Sequence, residues 1–209
     1  MIVKSLQNTL LEKLTELMTS RPDSPLSASA TPRADAELLC ITAARKSAMV
    51  SGGAAAIPGV GTTLSLLPDL FASFAIQRRL IADIAALFGQ TAVLNPEVMT
   101  SLLFGSFAPG AVRGLMTPGA ALPTPGWRRI PNLLLQRALR KIAWAIGRRI
   151  LGRAVERLIP VVGAAGAGWG TYRATMGIGR TSIDFFEERR NALTHGAPII
   201  SPAPLSLDL

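Results

Sequence analysis

From Ser47 to Pro68 the chain reads SAMVSGGAAAIPGVGTTLSLLP, without one charged residue and with few large apolar side chains. Such a stretch has little with which to hold water and little bulk with which to fill a core. What its glycines and alanines allow is close approach of another backbone. Directly afterwards Leu70, Phe74, Gln77, Ile81, Ile84 and Phe88 recur at three- and four-residue spacing, the stripe of a helix packed lengthwise on others. A looser echo follows a hundred residues on: Ile57-Pro58-Gly59-Val60-Gly61 is answered by Ile159-Pro160-Val161-Val162-Gly163. In each half an Arg–Asp pair four residues apart comes next, Arg79/Asp83 and Arg180/Asp184. The pattern predicts a single all-α domain, a bundle of five to seven helices centred on two Gly/Ala-lined helical arms.

The length of 209 residues suits one domain with a real core. Aromatic residues make up only 5%, so Ala, Leu, Ile, Val and Gly must supply most of the packing. Cys40 is the only cysteine, which leaves no intrachain disulfide and fits a reducing compartment. The N-terminus has acids at Glu12 and Glu16 and no uninterrupted apolar run, so it does not read as a secretory signal. No window has the hydropathy of an ordinary membrane-spanning helix.

Taken in order, residues 1–19 form an amphipathic helix with Val3, Leu6, Leu10, Leu14 and Leu17 on one face. Residues 20–33 are Pro/Ser/Ala-rich and read as a mobile linker. The helical domain proper spans 34–190, and 191–209 reads as a flexible tail. Within the domain a helix from Ala34 carries Ala44, Ala48, Gly52 and Ala55 on one face, and the next starts near Ser65 and stops at Gly89. Asn95-Pro96-Glu97 is a helix start, with Asn at the N-cap, Pro at the first position and an acid at the second. Between Gly105 and Gly126 prolines and glycines recur, predicting a loop with at most a turn or two of helix. Asn132–Leu158 is a long basic helix, with Leu135, Leu139, Ile142, Ile146 and Ile150 on one face and Arg137, Arg140, Lys141 and Arg148 opposite. In the last helix, from Pro160, Gly163, Gly166, Gly170, Ala174 and Gly177 line up at 3-4-4-3 spacing. A glycine inside a helix costs up to about 1 kcal/mol relative to alanine, so a seam of them predicts close helix packing in return, with Gly52 on the partner arm.

Several residues resemble the EcsC family of bacterial proteins: Ser51-Gly52-Gly53 leading to Ile57-Pro58-Gly59, then Pro68-Asp69-Leu70. The likeness continues through Gln77-Arg78-Arg79-Leu80-Ile81-Ala82-Asp83-Ile84-Ala85, closing with Phe88-Gly89, and through Ile159-Pro160-Val161-Val162-Gly163-Ala164. It covers about residues 36 to 190. Two positions depart from the family pattern: Gln90 stands where an acid follows the glycine, and Gly168-Trp169-Gly170 lacks an asparagine. The resemblance implies a helical, membrane-associated protein, in some relatives encoded beside an ABC transporter, and no established enzymatic activity.

The residues themselves point to no reaction. His195 is the only histidine, and one histidine with one cysteine cannot make an ordinary zinc site. Gly59-Val60-Gly61-Thr62-Thr63 lacks the lysine of a phosphate loop. No catalytic, cofactor or metal constellation is visible, and the Arg–Asp pairs read as helix ion pairs. The net charge of +9 calls for an anionic partner. The basic helix lacks the aromatic interleaving and motifs of a nucleic-acid reader, and nothing marks a small-molecule substrate. Arginines opposite Leu and Ile, with Trp127 and Trp144 nearby, suit an anionic membrane surface. The residues thus lead us to expect a non-enzymatic protein peripheral on an anionic membrane surface. Taken with the family resemblance, it is expected to be cytoplasmic, on the inner face of the membrane, modulating a membrane protein complex such as a transporter. A membrane-inserting or pore-forming module and a soluble hydrolase are the alternatives.

Overall fold

The computed structural model describes residues 2–20, 22–55, 66–112, 115, 133–153 and 160–195. Among them stand seven α-helices and no strand: α1 (Ile2–Thr19), α2 (Pro32–Ala55), α3 (Leu66–Leu87), α4 (Pro96–Phe104), α5 (Pro109–Val112), α6 (Leu133–Arg153) and α7 (Pro160–His195). The protein is an all-α bundle. The Ile57–Gly61 half of the internal echo, most of the 105–126 loop, Trp127 and the stretch from residue 196 lie outside the described residues.

Helix boundaries follow from local chemistry. The Asn95 side chain accepts a hydrogen bond from the Val98 amide at 2.8 Å, and Pro96 occupies the first helical position, where its missing N–H costs nothing. At the end of α3, Gly89 has φ +68, the left-handed conformation that favours glycine. The Gln90 amide donates to Ala85 O at 2.8 Å and the Gly89 amide to Ala86 O at 2.9 Å, the paired bonds of a Schellman stop.

The centre is a three-helix sandwich of α2, α3 and α7. Helices α2 and α7 run antiparallel along most of α2: Arg33 meets Glu187 at one end, Cys40 meets Gly179 in the middle, and Ala48 and Gly52 meet Gly168 at the other. Helix α3 returns antiparallel to α2, with Ser51 Oγ 3.1 Å from Ser73 Oγ. Ala36, Cys40, Ala44 and Ser47 are buried along α2, so this seam is built from small side chains. Gln77, on the apolar stripe of α3, is buried and donates to Thr175 Oγ1 of α7 at 3.0 Å. Phenylalanine pairs link the helices at two separate points. Phe74 meets Phe104 edge-on at 5.1 Å, and Phe88 stacks on Phe186 at 6.5 Å.

The glycine seam requires a correction. Gly166, Gly170, Ala174 and Gly177 are exposed, and a Cβ built on any of the three glycines meets nothing within 4 Å. The close approaches fall on two other glycines. A Cβ on Gly168 would lie 3.3 Å from Ala48 O, and one on Gly179 would lie 2.2 Å from Cys40 Sγ. The larger side chains decide the rotation. Thr175, Ile178, Ser182, Ile183 and Phe186 are buried, and two residues along a helix turn the chain by about 200°, so burying these turns Gly177 outward. Each large apolar side chain buried stabilises by about 1.5–3 kcal/mol, more than a glycine ridge offers. Gly52 stands at the Gly168 contact, while Gly163 lies in the first turn of α7.

The 20–33 stretch is not the mobile linker its composition suggests. It lies along α3: the Arg78 guanidinium donates to the Ser20 carbonyl, Ser24 Oγ donates to Asp83 at 2.6 Å, and the Ser29 amide donates to Leu87 O at 2.9 Å. Helix α1 then docks through Leu10, Leu14 and Met18, each fully buried, against α6 and α4. Its inner stripe runs through Met18, with Leu17 only half-buried.

Candidate functional site

Helix α6 separates its two faces cleanly. Leu135, Ala138, Leu139, Ile142, Ala143 and Ile146 are buried, and Gly147 lets α1 approach, its Cβ position 3.8 Å from Gln7 Cγ and Leu10 Cδ1. At about 100° per residue these positions span one side of the helix. Arg137, Arg140, Lys141, Trp144 and Arg148 are exposed on the other, and Trp144 retains 51% of its surface in solvent. The Arg148 guanidinium lies 4.6 Å from the centre of the Trp144 ring, a cation–π contact.

The sequence reading missed the remaining members of this face. Leu133 and Leu134 stand exposed at its N-terminal end, at 70% and 42%. In the sequence they look like an extension of the apolar stripe beginning at Leu135, but at about 100° per residue Leu133 falls opposite Leu135 and beside Trp144, a signal the helical period already carried. The face therefore combines Leu133 and Trp144 near its midline with flanking cations, and α6 contains no acid. Trp127, the other proposed aromatic contact, lies outside the described residues, and so do the side chains of Arg149 to Arg153.

The two Arg–Asp pairs part company. Arg79 Nε holds both oxygens of Asp83, at 3.0 and 3.2 Å, while Ser24 donates to the same carboxylate. Asp184 is not paired with Arg180. It turns instead toward Arg33 Nη1 at 3.7 Å, within a surface network in which Arg33 also meets Glu37 at 3.5 Å and Glu187. The four-residue spacing permits a helix pair, but a better-placed cation arrives across the α2–α7 interface. These residues are mostly exposed, so the network adds little stability.

Two groups are shifted by burial. Cys40, at the floor of the α2–α7 contact, has its thiol pushed up to about 11 by burial and then by Glu37. That makes it a small buried packing residue rather than a nucleophile. Arg78, only 6% exposed and pushed down to about 10 by burial, still carries its charge at neutral pH. It faces Ser20 just past the C-terminus of α1, where carbonyls favour a cation. Among the described residues no cluster of three His, Cys, Asp or Glu could hold a metal ion. No described helix is long and apolar enough to cross a membrane.

Comparison with known proteins returned no matching family model, no curated relative and no matching solved structure.

Proposed function

We propose that the chain is a non-enzymatic protein that docks peripherally on an anionic membrane surface through the outer face of α6, on the cytoplasmic side, and there modulates a membrane protein complex such as a transporter. The observation that carries the reading is that face. Trp144 and Leu133 are left in water at real cost, surrounded by Arg137, Arg140, Lys141 and Arg148 with no acid on the helix. An amphipathic element lying in the headgroup region needs cations for anionic phosphates and aromatic or leucine side chains for the acyl boundary. Each basic residue near such a surface contributes about 1 kcal/mol, so four give about 4 kcal/mol, roughly a thousandfold in affinity at low salt. The EcsC resemblance of residues 36 to 190 supports the same membrane setting and is the sole support for the transporter.

Flotation with liposomes tests the docking. The full chain rises with anionic vesicles, stays down with neutral ones, and is released by salt. Reversing Arg137, Arg140 and Lys141 to Glu abolishes flotation while leaving the helical circular-dichroism signal in place. Equal behaviour with both lipids removes the electrostatic reading.

A further inference from the structure

A second surface owes nothing to α6. Between α2 and α3 runs an open groove of about 390 Å³. Leu39, Ala43, Ala75, Ile76 and Leu80 line it, and Lys46, Arg79 and Asp83 edge it. Because α2 and α3 are antiparallel with Ser51 opposite Ser73, Lys46 stands toward the Ala75–Ile76 end and Asp83 toward Leu39. The rise along α2 from Leu39 to Lys46, at about 1.5 Å per residue, gives it a length of about 10 Å.

Its charges are unequal in what they leave free. Both oxygens of Asp83 are taken by Arg79, and one also by Ser24. The Thr42 hydroxyl is spent on Leu38 O at 3.0 Å. Among the described residues, no carboxylate stands within ion-pair distance of Lys46. The groove thus offers an apolar floor, one unspent ammonium at one end and a neutralised carboxylate at the other. It is too open to enclose a compact substrate, which needs most of its surface buried. Its shape fits an extended chain lying along the helices.

We infer that the α2–α3 groove binds a single-chain amphiphile with an anionic head, the head at Lys46 and the acyl chain over Ala43, Ile76 and Leu80. Electrostatics select the head, because Lys46 is the cation with no competing acid, and apolar burial holds the chain. An uncharged head leaves the ammonium without its partner, so the corresponding alcohol binds more weakly.

Titration calorimetry of the full chain with dodecanoate, below its micelle concentration, tests this, with amide shifts of isotope-labelled protein locating the site. Expected are one bound dodecanoate with shifts confined to α2 and α3, and dodecanol binding about tenfold or more weaker. Lys46→Gln weakens dodecanoate about tenfold, and Ala75→Trp, at an exposed position, fills the groove and abolishes binding. A second arm presents lysophosphatidylglycerol in neutral vesicles and distinguishes a membrane-borne amphiphile from a free fatty acid. Absence of binding to the unmodified chain, equal affinity for dodecanol, unchanged binding by Lys46→Gln, or shifts centred on another element overturns the proposal. Should Ala75→Trp not fold, the Lys46→Gln and mapping results still decide it. Flotation on anionic vesicles is unaffected by Lys46→Gln, so this inference and the α6 reading fail separately.

Discussion

Substituting alanine at two glycines of α7, two residues apart, is the sharpest test of how the bundle is assembled. At Gly177 a Cβ meets nothing within 4 Å, so Gly177→Ala changes only backbone entropy and helix propensity. It should stabilise by up to about 1 kcal/mol. At Gly179 the same Cβ lands 2.2 Å from Cys40 Sγ, 3.2 Å from Cys40 Cβ and 3.4 Å from Leu80 Cδ2. The thiol can rotate, but the Cβ contact remains, so α2 and α7 must separate. Overpacking of this kind costs about 1–3 kcal/mol, and the tightness of the contact argues for the upper part of that range. Less the propensity gain, Gly179→Ala should destabilise by about 1–2 kcal/mol. For a domain of this size about 2–4 °C corresponds to each kcal/mol. Thermal melts should therefore show Gly177→Ala rising by about 2–4 °C and Gly179→Ala falling by about 2–8 °C. Adding Cys40→Ala removes the sulfur and should recover part of the loss, a coupling of about 1 kcal/mol in a double-mutant cycle. If Gly177→Ala destabilises as much as Gly179→Ala, the 166–177 seam is buried after all and the packing argued above is wrong.

Three further outcomes are expected. Gly89→Ala should cost about 1 kcal/mol or more by chemical denaturation, because its φ of +68 strains any Cβ although the nearest contact, Ala28 Cβ at 3.6 Å, is ordinary. Asn95→Ala removes the bond to the Val98 amide and should cost about 0.5–2 kcal/mol, whereas Asn95→Asp should retain most of the stability. Cys40 should resist thiol reagents at pH 8 in the folded chain and react quickly once unfolded. Its folded value of about 11 lies above the ordinary 9.0, so the protonated thiol's contribution is complete below pH 9 and is lost as pH rises toward 11. Replacing Cys40 with Ala should flatten that alkaline loss.

Much of the local architecture was legible before any coordinate. The N-cap at Asn95, the stop at Gly89, the start of α7 at Pro160 and the two faces of α6 each depend on residues within a turn or two of one another. Such features are read from spacing because their physics is local. The 20–33 stretch was misjudged for the complementary reason. Its composition is that of a mobile linker, but its partners are Arg78, Asp83 and Leu87, far away in sequence.

What the sequence by itself determined is the helical class, most element boundaries and the cationic face of α6, since periodicity and capping are properties of single segments. Only the tertiary structure decided which glycines of α7 are contacts, which cation takes Asp184, and where a groove with an unspent lysine opens. Those outcomes depend on how each helix is rotated against its neighbours. Rotation is settled by competition among all the side chains of a helix, and the bulk of Ile178, Ile183 and Phe186 outweighed the regularity of the small residues between them.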